Sequence, residues 1–354
     1  MAGRRAPRRP LPSPNEKEVP FIKRATTRKL ISAALLLLLA LVLSFTADYF
    51  FSWKNICSML REVSVIGLIS VGVTFVIIGG GIDLSTGAVL AVSAILTSRL
   101  VVGTLLPIWL IVAAALAVGA LCGLFNGILV TRLGLSEFIA TFASMFIFRG
   151  IVYLLAFREN GRLVTKAVTD PAFRIIAARA GGFYLMSLVW AAAVLLGYLL
   201  LKCTRFGTYV YAAGTNRKSA EFSGIRTARI RTATFIISGV CSALAGVLLL
   251  AWQGSVSLGS GSGMEFEAIA AVVVGGVSLT GGRGDTLGTA LGSLFMIMAV
   301  NGLYKYGLST EFQTIAYGVV IILMSVFDAV YFSMLDKRRR ASLKQPGKGA
   351  AYGK

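Results

Sequence analysis

Asp83 stands at the point in this sequence where chemistry is most expected. It follows Gly79-Gly80-Gly81-Ile82 and opens an apolar stretch with Leu84-Ser85. A carboxylate there can accept hydrogen bonds from the free N–H groups of a starting helix, whose dipole favours the negative charge. The same carboxylate, with Ser85, could instead gate or line a path for a polar solute. A charge inside a membrane segment costs about 2.5–3.5 kcal/mol on insertion scales, so one that persists has a reason to be there. Glu265 and Glu267 flank the start of a second interrupted apolar stretch, where the same two roles compete. Asn126 and Asn301 are the remaining polar side chains placed to touch such a path. Arg149 lies within an apolar segment near its outer end, from which it can snorkel to the interface.

Other chemistries are closed off. There is no histidine, which excludes an imidazole base and a histidine metal site. Cys57, Cys122, Cys203 and Cys241 are widely spaced and have no metal-ligand or disulfide pattern, so no metal centre is expected. The phosphate-cradling pattern G-x-x-x-x-G-K-[ST] is absent, so ATP is not bound by that route. Gly282-Arg283-Gly284-Asp285 matches the Gly-x-Gly-Asp signature of intramembrane aspartyl proteases. That chemistry needs a second aspartate facing the first, and Asp83 is the one candidate. It lacks the usual preceding tyrosine, and no Pro-Ala-Leu follows downstream.

The elements that must position these residues are membrane helices. Of 354 residues, 56% are hydrophobic and 14% charged, against roughly 45–50% and about 25% in soluble domains. A crossing helix needs about 20 apolar residues. Runs near that length occupy 30–47, 57–78, 84–102, 106–130, 135–156, 182–201, 231–251 and 311–331. The stretch 265–303 is broken at Gly281-Gly282-Arg283-Gly284-Asp285 and reads as two helices, one of them short. The fold class is therefore all-α and polytopic, with about ten spans, or nine if the short one is re-entrant. Residues 1–29 read as a disordered basic cytoplasmic tail, with Pro7, Pro10, Pro12 and Pro14 opposing helix. Residues 30–332 form the transmembrane domain and 333–354 a basic cytoplasmic tail.

Lys and Arg outnumber Asp and Glu by 35 to 15, a net charge of +20. With both termini cytoplasmic, most of that excess falls on inside segments, as membrane insertion favours. It signals neither nucleic-acid binding nor a soluble basic protein. The outlier is the external loop 157–181, where Arg158, Arg162 and Lys166 offer a docking surface. Gly119, Gly123 and Gly127, and again Gly284, Gly288 and Gly292, recur every four residues, a spacing that lets helix backbones approach closely. A weak internal echo pairs residues 80–87 with 281–288, the aspartates being out of register by one place.

The most informative polar segment is 202–231. Thr215 or Asn216 can cap a short helix that Gly224 ends. It would carry Arg217, Glu221, a small face of Ser219, Ala220 and Ser223, and an aromatic, Phe222. A solvated connector has no need of that aromatic, whereas a partner's groove would use it as an anchor. On the residues alone, a docking helix and a plain connector stand level.

Four stretches in order carry a family resemblance. They are residues 74–87 with Gly-Gly-Ile-Asp-Leu-Ser, Phe138-Ile139-Ala140-Thr141 running to Arg149-Gly150, the loop ending Ser223-Gly224-Ile225, and 267–276 followed by Gly281-Gly282. Over about 57–328 the chain resembles the permease subunit of a bacterial ribose-type ABC importer. The resemblance implies a type II importer permease in the bacterial cytoplasmic membrane, contacting membrane lipid. Two such chains, identical or paralogous, would form a dimer with the path along their interface. ATP with magnesium would be held by a cytoplasmic ATP-binding cassette subunit, and this chain would bind no cofactor. A periplasmic or lipid-anchored binding protein would deliver a pentose, hexose or related polyol. The family's coupling helix maps onto 216–223, which raises the docking reading of that segment. The basic tail 1–29 has no obvious counterpart. No sugar-selecting constellation is visible along the spans, which are poor in aromatic platforms beside acids and amides. The alternatives are an ion-coupled carrier, which should carry paired acids near the membrane midplane, and the protease.

Overall fold

The computed structural model describes residues 21–159, 162–180 and 182–309, with scattered positions between 311 and 326. Tail residues 1–20 and 333–354, and most of the span expected at 311–331, lie outside the described residues. Long apolar runs become α1 (Phe21–Thr46), α2 (Trp53–Ile78), α3 (Thr86–Gly103), α4 (Ile108–Thr131) and α5 (Glu137–Leu155). The external loop then forms two small antiparallel hairpins, β1 (Phe157–Glu159) with β2 (Arg162–Val164) and β3 (Arg179–Ala180) with β4 (Phe183–Tyr184), around the single turn α6 (Pro171–Arg174). The second half consists of α7 (Leu185–Cys203), α8 (Arg205–Thr215), α9 (Arg217–Phe222), α10 (Thr227–Gln253), α11 (Met264–Val274) and α12 (Thr286–Lys305).

Among the described residues, seven helices are long and apolar enough to cross a membrane: α2, α3, α4, α5, α7, α10 and α12. The chain is thus a multi-pass α-helical membrane protein, and the expected count of about ten is not reached within this set. Three of the expected spans are not among the seven: 311–331, mostly outside the described residues, and two that are described. The apolar part of α1, Ser32–Thr46, is shorter than a full span. Eleven-residue α11 is the expected short helix, about 16 Å long at 1.5 Å per residue. Helix α1 also starts nine positions ahead of its apolar run, taking in Lys23, Arg24, Arg28 and Lys29.

Helix α2 is the buried axis, and α10 packs against α4, α2 and α3. The first glycine stripe explains one of these contacts. A Cβ on Gly119 would overlap Gly239 O, one on Gly123 would overlap Phe235 O, and one on Gly239 would overlap Gly119 O. Backbones of α4 and α10 therefore touch directly, as small residues permit where lipid removes the hydrophobic drive between helices. Gly288 and Gly292 do the same for α12 against Gly275 O and Ala271 O of α11.

The ends of α2 and α11 share a glycine helix stop, which also closes α9 and α12 and so does not by itself mark a duplication. Helix α2 ends with Gly79 N donating to Phe75 O, Gly80 N to Ile77 O and Gly81 N to Val76 O. Helix α11 ends with Gly275 N to Ala271 O, Gly276 N to Val273 O and Val277 N to Val272 O. Gly80 and Gly276 both take left-handed φ, 82° and 84°, the helix-ending conformation glycine adopts without a Cβ clash. Gly79-Gly80 thus matches Gly275-Gly276, not Gly281-Gly282. After α11 a further turn, closed by Ser278 N to Arg283 O and Gly281 N to Ser278 O, separates this stop from Asp285.

Candidate functional site

Three places gather the polar and irregular features, and α2 runs between two of them. At its C-terminal end, both helix-breaking turns meet the tip of α8. Gly282 N donates to Ile78 O at 2.8 Å. Gly214, one residue before α8 ends, is wedged between them: a Cβ there would overlap Ile78 O and stand 2.7 Å from Gly282 N. A Cβ on Gly281 would lie 2.8 Å from Gly214 O and 3.0 Å from Gly80 Cα. Tyr211 Oη bonds Gly284 O at 2.6 Å, clamping the same joint.

Directly beyond this joint comes α9. Asn216 Oδ1 accepts from Ser219 N at 3.0 Å as its N-cap, and Gly224, at φ 81°, reverses the chain after Ser223. Arg217 Nε pairs with Glu221 Oε1 at 2.9 Å, and Thr227 Oγ1 donates to the same oxygen at 2.5 Å. The Thr227 hydroxyl and the Arg217 guanidinium hold the Glu221 carboxyl below its ordinary pKa. Their contribution is present above the ordinary carboxylate pKa and lost only as pH falls through the lowered one. Of the expected small face only Ala220 is buried; Ser219 and Ser223 are exposed, and Phe222 is 92% exposed. Nearby, Arg231 forms an ion pair with Glu137 that ties the start of α10 to the start of α5.

Asp83 occupies the second place, at 2% exposure. Oδ1 accepts from Ser85 N at 3.0 Å and Ser85 Oγ at 2.7 Å, and Oδ2 accepts from Ser238 Oγ of α10 at 2.7 Å. Asn126 Nδ2 of α4 donates to Ser85 Oγ at 2.7 Å. Asp83, Ser85 and Asn126 therefore form one buried knot joining the α2–α3 turn to α4 and α10. Replacing Asp83 with alanine strands the Ser85 and Ser238 hydroxyls, at about 1–3 kcal/mol each. The expected result is a melting temperature several degrees lower in detergent, read by size-exclusion after heating. Unchanged melting would remove the bracing role. Asp285 is held elsewhere, accepting from Gly288 N at 3.0 Å with Lys202 Nζ 4.0 Å away. Asp285 thus caps α12 while Asp83 braces the α2–α3 turn against α10, structural roles that account for both carboxylates.

The third place is the opposite end of α2, where a cavity of about 770 Å³ opens. Tyr49, Asn55, Arg61, Glu62, Tyr184 and Asn301 are among the residues lining it. Asn301 is thus the one path candidate that faces this space. Glu267 sits half-buried in the first turn of α11. Arg149, expected to snorkel, instead turns to protein, with Nη1 on Ser260 O at 2.6 Å. The loop of residues 157–184 lies at this end too. It is pinned by Val168 N to Gly254 O at 2.6 Å, Ser98 Oγ to Lys166 O at 3.4 Å and buried Phe173. Arg158 is exposed, Arg162 pairs with Glu159 in strand register, and Lys166 Nζ sits 3.0 Å from Glu159. Of the three basic residues proposed for docking, Lys166 is thus partly neutralised.

Residues 55–325 match the family described as branched-chain amino acid transport system / permease component. The chain is 37% identical over 303 residues to the ribose import permease protein of Haemophilus influenzae, covering 83% of this chain and 91% of that one. It is 37% identical over 297 residues to the ribose import permease protein of Bacillus subtilis, covering 83% and 90%. To the D-allose transport system permease protein of Escherichia coli it is 33% identical over 294 residues, covering 83% and 89%. No solved structure matches the chain. Glycine-broken helices around α8, a capped α9 and a match spanning nearly every described helix lead to one conclusion: this chain belongs to the transport-system permease family in which the ribose import permeases are found.

Proposed function

We propose that this chain is the membrane-spanning permease of an ATP-driven importer for a monosaccharide or related polyol in the bacterial cytoplasmic membrane. Its relatives named for ribose and allose favour that cargo class. The observation that carries the reading is Phe222, held almost wholly in solvent on a capped short helix whose neighbour α8 ends inside the joint of both broken turns. An apolar ring in that position serves as an anchor for a groove on another protein. That protein is the ATPase, which holds ATP and magnesium, and α9 is its contact through Asn216, Arg217, Ser219, Glu221, Phe222, Ser223 and Gly224. Two permease chains, identical or paralogous, form the dimer within lipid, with both termini on the ATPase side. A binding protein docks at the opposite end, on Arg158, Arg162 and the neighbouring loop.

The test is reconstitution. The chain is purified with a candidate ATPase and binding protein, placed in liposomes, and assayed for sugar-stimulated ATP hydrolysis and uptake. Sugar-dependent hydrolysis with uptake supports the reading. Uphill uptake by the chain alone under a cation gradient would replace it with the ion-coupled carrier. A further expected result concerns the loop: Arg158→Glu with Arg162→Glu weakens binding-protein association at low salt, with the difference fading as ions screen beyond about 8–10 Å. Equal association at low salt would move the dock elsewhere.

A further inference from the structure

The cavity at the start of α2 is assembled from four segments far apart in sequence: the α1–α2 turn, the first turns of α2, the end of the external loop at Tyr184, and the end of α12. Its floor is an amide pair. Asn55 Nδ2 donates to Asn301 Oδ1 at 2.9 Å and Asn301 Nδ2 to Asn55 Oδ1 at 3.1 Å, with Asn55 Nδ2 also on Phe50 O at 2.8 Å. Both amides are buried, at 9% exposure. Because each is fixed by the other, the remaining Asn301 N–H and one lone pair on each oxygen are left at set positions.

Arg61 is equally immobilised. Its guanidinium lies 4.4 Å from the Trp252 ring centre and 5.2 Å from that of Tyr184, and Nη2 donates to Ser58 Oγ at 3.0 Å. Its Nε is buried with no hydrogen-bond partner among the described residues. Beside it, Glu62 supplies a carboxylate whose Oε1 has only a long contact, 3.3 Å, from Ser58 Oγ. Tyr49 and Tyr304, both exposed, stand at the rim.

Donors and acceptors therefore both line one space. Three cations, Arg61, Lys54 and Lys305, line the space against one carboxylate, Glu62, so a cation is disfavoured, while an anion would gain the cations and meet the Glu62 acceptor beside Arg61. A hydroxyl group donates and accepts at once, so a ring carrying several of them matches this mixture, and tyrosine faces suit its C–H side. We propose that this cavity is a low-affinity binding station for an uncharged monosaccharide, with Glu62, Arg61 and the Asn55–Asn301 pair reading its hydroxyls. The inference rests on the importer reading and adds to it a solute site on the permease itself, placed where an incoming sugar first meets this chain.

The experiment uses the full chain in lipid nanodiscs without partners. D-ribose, D-allose and D-fructose are titrated separately, with ribose 5-phosphate as the anionic comparison; the readout is tryptophan fluorescence in a chain that keeps Trp252 and carries Trp53→Phe, Trp109→Phe and Trp190→Phe. At least one neutral sugar is expected to give a saturable change at millimolar concentration. Glu62→Gln should weaken it at least tenfold, and Tyr304→Ala, a change at an exposed rim position, severalfold. No saturable change with any neutral sugar, a tighter response to ribose 5-phosphate, or full affinity in both variants would each overturn the station. The importer reading is checked separately by ATP-driven uptake in the reconstituted wild-type complex. Uptake there with no sugar response in nanodiscs would sink the station alone, whereas absence of uptake in the presence of both partners would sink the importer reading.

Discussion

Gly214→Ala removes transport and lowers thermal stability, although alanine is the better helix former. Helix propensity alone favours the change by about 1 kcal/mol. Against it stands a Cβ that overlaps Ile78 O and lies 2.7 Å from Gly282 N. Making room means separating those two atoms and losing their 2.8 Å hydrogen bond in a crowded site. Overpacking costs about 1–3 kcal/mol and the stranded backbone groups about 1–3 kcal/mol more. The net expectation is a loss of about 1–5 kcal/mol, seen as a melting temperature lower by several degrees and as loss of uptake in the reconstituted importer. A variant that melts at or above the wild-type temperature would show that propensity wins and that the joint is loose.

Phe222→Ala should leave the permease folded, since the ring is 92% exposed, yet separate ATP hydrolysis from uptake. Truncating an aromatic anchor at an interface centre costs about 2 kcal/mol or more, roughly thirtyfold in affinity. The expected outcome in liposomes is normal insertion and melting, ATP hydrolysis that no longer responds to sugar, and uptake reduced more than tenfold. Changing Glu221 together with Phe222 deepens the effect, because the Arg217–Glu221–Thr227 clasp orients the ring. Coupled transport at wild-type rates would remove α9 as the contact.

Much of this arrangement could be read before any coordinates. Span positions follow from hydropathy, and α9 follows from Asn216 as cap and Gly224 as terminator, because caps act within a few residues of the chain. The two glycine stripes identified helices in backbone contact without naming their partners. What stayed hidden was whatever depends on residues distant in sequence. Ser238, which holds Asp83, lies 155 positions away, and nothing local marks it. The cavity draws on Tyr49, Glu62, Tyr184 and Asn301, so no single span shows an unusual density of sugar-reading groups. The hairpins of the external loop have strands of two or three residues, too short for a period-two pattern to stand out.

The mutual contact of Gly119 and Gly239 bears on how the protein moves. Each glycine sits where a side chain would strike the other's carbonyl. With no side chain between them the two backbones touch, and tilting one helix off the other would open a gap with nothing to fill it. Helices α4 and α10 are therefore held face to face and travel as a single lever. Any stroke that reaches the solute must tilt this lever whole, and its fulcrum has to be sought among the turns at its ends.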